Sequence, residues 1–527
     1  TPPCFREYVK PSVLVPLIPT CRNVNKLSLK LDIRHSYTHN MYFAEYQPHS
    51  SFDEKNPEHW NDQAQWTLQK KLSAALNTKI AKNIIFFIGD GMSITTLAAT
   101  RVYLGQKRGQ LGEELKLSFE EFPVTGLSKT YCVDNNVADS ACSGTAYMTG
   151  VKANSGTLGV SGAVRRGDCS AQFNGNNDVN GIMAWAQAAG KKTGIVTTTR
   201  VTHATPASSY AHSADRQWES DANLPKQSQH CEDIAVQLVR GKIGSKINVV
   251  LGGGRKNFMP KSYTDVEGVS GVRNDHTDLI REWLYNKEYE DATPKYVYTR
   301  NQLLNVNVTK VNSILGLFSA DHMPYNLEAK ADDPSLTEMT QKAIEILSQG
   351  QKGFFLFVEG GRIDTAHHET KARKALDETA ELAKAVEAAT KMVNLEETLI
   401  VVTSDHSHTM SYSGYSKRGT DILGFISRFN ASDSMPFMTL NYANGPGYRP
   451  EENSHRHNFI NDDIKHPNFT FPSLAPLARE THGGEDVAVY AQGPWSHLFT
   501  GNYEQNYIPH AIAYAACIGP RKQACDA

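Results

Sequence analysis

An α/β fold is predicted, with a large central, mostly parallel β-sheet sandwiched between helices. Short β-branched and aromatic runs alternate with helical stretches, the pattern of a sheet covered on both faces. The chain has 527 residues, several times what one hydrophobic core needs, so a large domain with insertions, or two domains, is expected. Asp, Glu, His and Thr follow directly on four of the predicted strands, and ligands in open α/β sheets bind beyond the carboxyl ends of strands.

The first strand, Asn83 to Ile88, runs into Gly89-Asp90-Gly91. A helix is predicted from Ser140 to about Val151 and another over Asp178 to Ala189. The strand Gly194 to Thr199 leads to Val201-Thr202-His203-Ala204-Thr205, and Ile247 to Leu251 forms the next strand. After a helix over Ser335 to Gln349, the strand Phe354 to Val358 ends in Glu359-Gly360-Gly361-Arg362-Ile363-Asp364, with His367 and His368 beyond. Thr370 to Val393 carries Ala and Leu at helical spacing with Lys, Arg and Glu between, an amphipathic cover helix. Thr398 to Thr403 ends in Ser404-Asp405-His406, and Asp486 to Tyr490 is the last predicted strand.

Composition excludes several functions. Lys and Arg total 54 against 56 Asp and Glu, which leaves no electrostatic footprint for wrapping a nucleic acid. The longest apolar run, Ile84 to Ile88, is far short of the roughly 20 residues of a bilayer span. Eight cysteines occur without a CxxC pair, which favours disulfides over a zinc knuckle. The sequons at Asn307, Asn430 and Asn468 point with them to an oxidising, secretory compartment. The chain begins at Thr1 without a signal-like segment and ends without an apolar tail, which reads as a processed form; a C-terminal lipid anchor would leave the same ending.

A lone Asp after a strand is usually a helix N-cap, and a lone His usually a satisfied core residue. Carboxylates converging from three strand ends, with His and Thr from a fourth, are different: they raise one another's pKa unless something positive lies between them. A metal cluster resolves the conflict. The nitrogen and oxygen donors suit zinc where His is present and magnesium where only carboxylates and hydroxyls meet. Ser140, in Asp139-Ser140-Ala141-Cys142-Ser143-Gly144, is the candidate nucleophile at a helix N-terminus, although Asp139 or Ser140 could equally be an N-cap alone.

These residues form motifs in a set order: Gly89-Asp90-Gly91-Met92, Asp139-Ser140-Ala141, Glu359-Gly360-Gly361-Arg362-Ile363-Asp364, Thr403-Ser404-Asp405-His406-Ser407-His408 and Glu480-Thr481-His482-Gly483-Gly484-Glu485-Asp486. Together they resemble the animal-type alkaline phosphatases, from about Glu54 to Cys525. The resemblance implies hydrolysis of phosphate monoesters at alkaline pH through a phosphoserine, with inorganic phosphate released and broad leaving-group specificity. It implies two zinc ions and one magnesium per subunit. Asp364, His368 and His482 match the first zinc site, Asp90, Asp405 and His406 the second, and Asp90, Thr205 and Glu359 the magnesium site, with His203 nearby. Arg216, in Ser213-Ala214-Asp215-Arg216, matches the phosphate-binding arginine, whose planar fork suits two phosphate oxygens.

Other parts follow or depart from the family. Glu267, the Phe318 carbonyl and Asp333 map onto a calcium site, but Ser319 stands where the family usually has Glu; one carboxylate fewer weakens a hard-cation site, and calcium binding is left undecided. Thr365 replaces a residue, usually His, that touches phosphate through water, so looser phosphate binding is expected. Cys169 with Cys231 and Cys517 with Cys525 match the family's pairs. Cys132 and Cys142 either pair or stay reduced, and Cys4 and Cys21 are left to close an N-terminal loop. Residues 1–52 form an N-terminal extension or arm, with a strand suggested over Leu27 to Ile33, and 53–76 match the helix that embraces a partner subunit. A homodimer is therefore implied. Residues 77–412 and 479–527 correspond to the catalytic domain, and 413–478 to a crown-like insertion in which Tyr415 matches a tyrosine reaching the neighbouring active site. An extracellular protein, secreted or attached by a lipid anchor, is implied. A sulfatase would need a CxPxR motif, which is absent, and a catalytically silent binding protein would be expected to have lost one of these site residues.

Overall fold

In β1 (Asn83–Gly89) successive side chains point to opposite faces, so a strand covered on both sides must be apolar throughout. The computed structural model describes residues 53–173, 175–290, 292–427, 430–451, 455–521 and 524–526. Among these the later strands are β2 (Val124–Lys129), β3 (Lys192–Arg200), β4 (Val249–Gly253), β5 (Pro294–Val297), β6 (Ser313–Leu317), β7 (Phe354–Gly360) and β8 (Thr398–Thr403). They continue with β9 (Ser407–His408), β10 (Met410–Tyr412), β11 (Leu440–Gly445), β12 (Ser473–Pro476), β13 (His482–Gly483), β14 (Val487–Gln492) and β15 (Gly501–Glu504).

Ten of the strands form one sheet in the order β15-β2-β14-β8-β1-β7-β3-β4-β6-β5. Only β14 runs antiparallel to its neighbours there, β2 and β8. Ile84, Phe86 and Ile88 face one layer with Phe355, Phe357 and Val401, whereas Ile85 and Phe87 face the other with Leu356, Val358 and Val402. The alternation closes two cores against one sheet. It also leaves the carboxyl ends of β8, β1, β7 and β3 side by side, since these four are parallel neighbours.

All six predicted strands lie in this sheet. The strands β2, β5, β6 and β15 are short, and several hold Gly, Pro or polar residues, so their ladders rather than their own pattern define them. The predicted helices are observed at Ser140–Thr149, Ile182–Ala188, Leu336–Leu347 and Ala372–Met392. Ser335 and Glu338 form a capping box that starts the third of these. Residues 413–478 carry β11 and β12, which join β10 in a separate three-stranded sheet over Leu423, Met438, Tyr442 and Phe471.

The chain divides into two units, Thr1–Gln69 and Lys70–Ala527. The extension 1–52, with Cys4, Cys21 and the suggested strand, lies outside the described residues. The helix Pro57–Leu72 falls within the predicted 53–76 region. Disulfides join Cys132 to Cys142, Cys169 to Cys231 and Cys517 to Cys525; the first links the segment before the Ser140 helix to that helix. Among the described residues no helix is long and apolar enough to cross a membrane.

Phe86 ties the sheet to the Ser140 helix: its ring meets Tyr147 edge-on at 5.6 Å and Phe357 at 6.0 Å. Phe86→Ala is expected to lower the unfolding free energy by about 3–5 kcal/mol in urea titration. A loss under about 1 kcal/mol would contradict this packing role.

Candidate active site

Each site residue leaves the sheet by a short, defined route. Asp90 follows β1, and Gly91 turns the chain at φ +69°; a Cβ there would come within 2.5 Å of the His408 ring. Only glycine fits that approach. Gly91 N–H donates to Asp405 Oδ1 at 3.0 Å, which ties the end of β1 to the end of β8. The helix Arg362–His368 follows β7 and carries Asp364 and His368 four residues apart, on one face. The ribbon β9–β13 is antiparallel with His408 opposite His482, and it returns the C-terminal part of the chain to the site.

Three groups of possible metal ligands result: Asp364, His368, His408 and His482; Asp90, Asp405 and His406; and Asp90, His203 and Glu359. The structure thus brings together the six expected zinc ligands in two groups, and Thr205 Oγ1 donates to Asp90 Oδ2 at 3.2 Å beside Glu359 and His203. His368, His482 and His406 each direct Nδ1 at a backbone carbonyl, of Glu480, Ala138 and Ser407 respectively. The Nε2 atoms are left facing the carboxylates, with His482 and His368 both 3.3 Å from Asp364 Oδ1. A carbonyl partner on one ring nitrogen fixes the tautomer that leaves the other free for a metal.

Burial, then the charges of Asp405, Asp364 and Glu359, raises Asp90 well above the ordinary carboxylate range. Burial and the charge of Asp405 push Glu359 up to about 7, in spite of a hydrogen bond from Thr197. Burial and Asp364 push Asp405 up to about 6 against the Gly91 amide. Burial holds His406 well below the ordinary histidine range and His368 down at about 4, so both are neutral donors at neutral pH. Asp90 Oδ1, Glu359 Oε1 and His203 Nδ1 are buried without a hydrogen-bond partner. Orphaned oxygens, crowded carboxylates and neutral imidazoles fit divalent cations of the zinc and magnesium type.

Asp139 is the N-cap of the helix Ser140–Thr149 and accepts from Cys142 N–H, which leaves Ser140 as the first helical residue. Ser140 Oγ is buried, 3.2 Å from His406 Nε2. Asp139 also takes Gly156 N–H at 2.9 Å and Arg216 Nη1 at 2.9 Å. Arg216 outweighs burial and keeps this carboxylate ionised, its pKa below the ordinary value. The second arm of Arg216, Nη2, lies 3.1 Å from His203 Nε2.

His408 and Glu480 belong to two of the sequence motifs but received no role there, although the spacing of His406 and His408 puts both on one side of an extended segment. Burial alone would lower the His408 pKa, but Glu480 and Asp364 push it up to about 10. Its Nε2 is 2.8 Å from Asp364 Oδ1, and its Nδ1 contacts Glu480 Oε2. His367 is a satisfied core residue between Thr96 and Tyr442. Thr365 donates to the Arg362 carbonyl at 3.2 Å. Of the calcium candidates, Glu267 accepts from Ala320 N–H and lies 3.4 Å from Arg255 Nη2, Asp333 accepts from Lys330 N–H within a local turn, and Phe318 is buried. Asn307, Asn430 and Asn468 are all exposed, as is Tyr415.

The family model of alkaline phosphatase matches residues 81–518. The membrane-bound alkaline phosphatase of Bombyx mori is 47% identical over 476 residues, 88% of this chain and 86% of its own length. The human tissue-nonspecific isozyme is 47% identical over 482 residues, 90% of this chain and 91% of its own. Among solved structures, Thermus thermophilus alkaline phosphatase matches with a TM-score of 0.59 at 23% identity, covering 86% of this chain and 96% of that one.

The His408 contacts set a pH dependence for metal-free protein. A histidine raised in the folded state contributes stability that is complete below about pH 6.5 and lost as the pH rises toward about 10. After chelation, the melting midpoint is expected to fall between about pH 7 and pH 9, and to fall less in His408→Gln. A wild-type midpoint that stays level or rises over this range would contradict the charge assignment.

Proposed function

As a member of the alkaline phosphatase family, this chain hydrolyses phosphate monoesters, and we propose that it does so through a phosphoserine formed on Ser140. The observation that carries this reading is Ser140 Oγ at a helix N-terminus, beside His406 and flanked by an arginine held on Asp139. In the proposal zinc is held by Asp364, His368 and His482 and by Asp90, Asp405 and His406, and magnesium by Asp90, Thr205 and Glu359. Bound there, such cations supply charge against the phosphoryl oxygens and make a serine hydroxyl ionisable. Calcium is left out, because Glu267 already faces the Arg255 guanidinium.

Arg216 receives the phosphoryl oxygens on its fork, and the amides that open the Ser140 helix add a positive dipole end. Ser140 Oγ loses its proton to water and attacks phosphorus as the ester oxygen leaves with the bonding pair and takes a proton. Water then loses a proton and attacks phosphorus from the side of the departed group, and the bond to Ser140 breaks with its electron pair staying on Oγ, which takes up a proton as inorganic phosphate is released. Asp139 does two jobs in this sequence. It opens the helix under Ser140 and fixes one arm of Arg216, so nucleophile and phosphate clamp keep one relative position.

Three disulfides and three exposed sequon asparagines support an extracellular, glycosylated protein, secreted or lipid-anchored. The exposed Trp60 and Leu68 of the helix Pro57–Leu72, and Tyr415, support the homodimer.

Phosphate release from a simple aryl monoester at alkaline pH tests the reading. Ser140→Ala is expected to lower kcat at least about a thousandfold, and Arg216→Ala to lower kcat/KM about 10- to 100-fold. A chelator should abolish activity. Retention of turnover by folded S140A would remove the serine from the chemistry.

A further inference from the structure

The loop after β6 reaches the site but has no part in the steps above. It crosses the carboxyl ends of β3 and β4: Gly254 N–H donates to the carbonyls of Ser319 at 3.0 Å and Asp321 at 2.8 Å, and Met323 N–H to that of Thr198 at 3.0 Å. Asp321 accepts from Arg200 Nη1 at 2.7 Å and pairs with Lys256. The rest of the Arg200 guanidinium is bidentate on Glu219, at 2.8 and 2.7 Å, and Glu219 also accepts from Thr202 at 2.6 Å and Asn257 at 3.0 Å. A loop fixed by this many charged hydrogen bonds is a rigid support.

What the loop presents is His322. Its Nδ1 accepts from the Arg200 backbone N–H at 3.3 Å, which sets the ring plane. The ring meets that of His203 edge-on, with centroids 5.3 Å apart and planes at 70°. His203 in turn faces Arg216, 3.1 Å from Nη2. A guanidinium only donates, so His203 Nε2 is the acceptor and Nδ1 carries the hydrogen. That Nδ1 is buried without a partner, so no hydrogen bond within the chain holds the far side of the His203 ring. The edge-on ring of His322 packs against it.

We propose that His322 is a positioning residue for phosphate binding, which holds His203 edge-on so that Nε2 stays aligned on the outer arm of Arg216. The proposal rests on Arg216 as the phosphate clamp. Asp139 fixes one arm of the fork, and His203 fixes the other only while His322 backs it. Loss of His322 lets the planar fork pivot about its contact with Asp139, which weakens the hold on phosphate and leaves Ser140 in place.

The test compares metal-loaded wild type, R216A, H322A and H322F in aryl-monoester hydrolysis, with inorganic phosphate as inhibitor. His322→Ala is expected to raise both KM and the phosphate inhibition constant roughly three- to tenfold, with kcat changed less than about twofold. His322→Phe, which keeps an aromatic ring, should stay within about twofold of wild type on all three. Unchanged constants in H322A, or a rise in H322F as large as in H322A, would overturn the proposal. Should H322A fail to fold, H322Q, which fills the space without a ring, must show the rise, and its absence would overturn the proposal equally. Undiminished phosphate inhibition in R216A would reject the Arg216 reading itself; weakened inhibition in R216A with H322A unchanged would reject only the role of His322.

Discussion

The structure depends on a repulsion. Asp90, Glu359 and Asp405 are fully buried at the carboxyl ends of three adjacent parallel strands, where burial and the charge of Asp405 raise Asp90 and Glu359, and burial and the charge of Asp364 raise Asp405. An arrangement of this kind is costly unless cations neutralise it, because desolvation and like charge act in the same direction. Much of the local architecture serves to hold these groups in spite of it. Gly91 lets the chain turn tightly enough for its amide to bind Asp405, and Thr197 and Thr199 hold one oxygen of Glu359. One oxygen each of Asp90 and Glu359 is buried without a hydrogen bond, and that of Asp90 lies 3.5 Å from His406 Nε2.

Around this acidic edge the histidines are oriented from behind. Backbone carbonyls take the Nδ1 sides of His368, His406 and His482, so three imidazoles offer Nε2 to the carboxylates without adjustment. Asp139 joins the edge to the proposed phosphate clamp, since one carboxylate caps the Ser140 helix and holds Arg216. Pre-set geometry of this sort is what an enzyme needs when the chemistry is mostly positioning and charge neutralisation.

Much of the sheet and its acidic edge was legible in the sequence because the apolar runs were clean. The fully apolar runs of β1, β7 and β8 could only be strands covered on both faces, and the acids following them could only gather at one edge. Asp364 and His368, matched to a zinc site through the family resemblance alone, lie four residues apart on one helix. The roles of His408, Glu480 and His322 were hidden for a physical reason. His408 and Glu480 meet through a two-residue ribbon too short to leave a pattern, and His322 comes from a loop whose position depends on Arg200, Glu219 and Lys256, none adjacent in sequence. The strands β2, β5, β6 and β15 escaped for a related reason, since sheet neighbours rather than local pattern define them.

The central claim is that cations balance the buried carboxylates. Anomalous diffraction at the zinc edge from crystals of the purified protein tests it most directly. The account predicts one peak among Asp364, His368 and His482 and a second among Asp90, Asp405 and His406. A crystal of active protein without a peak at either position would contradict it.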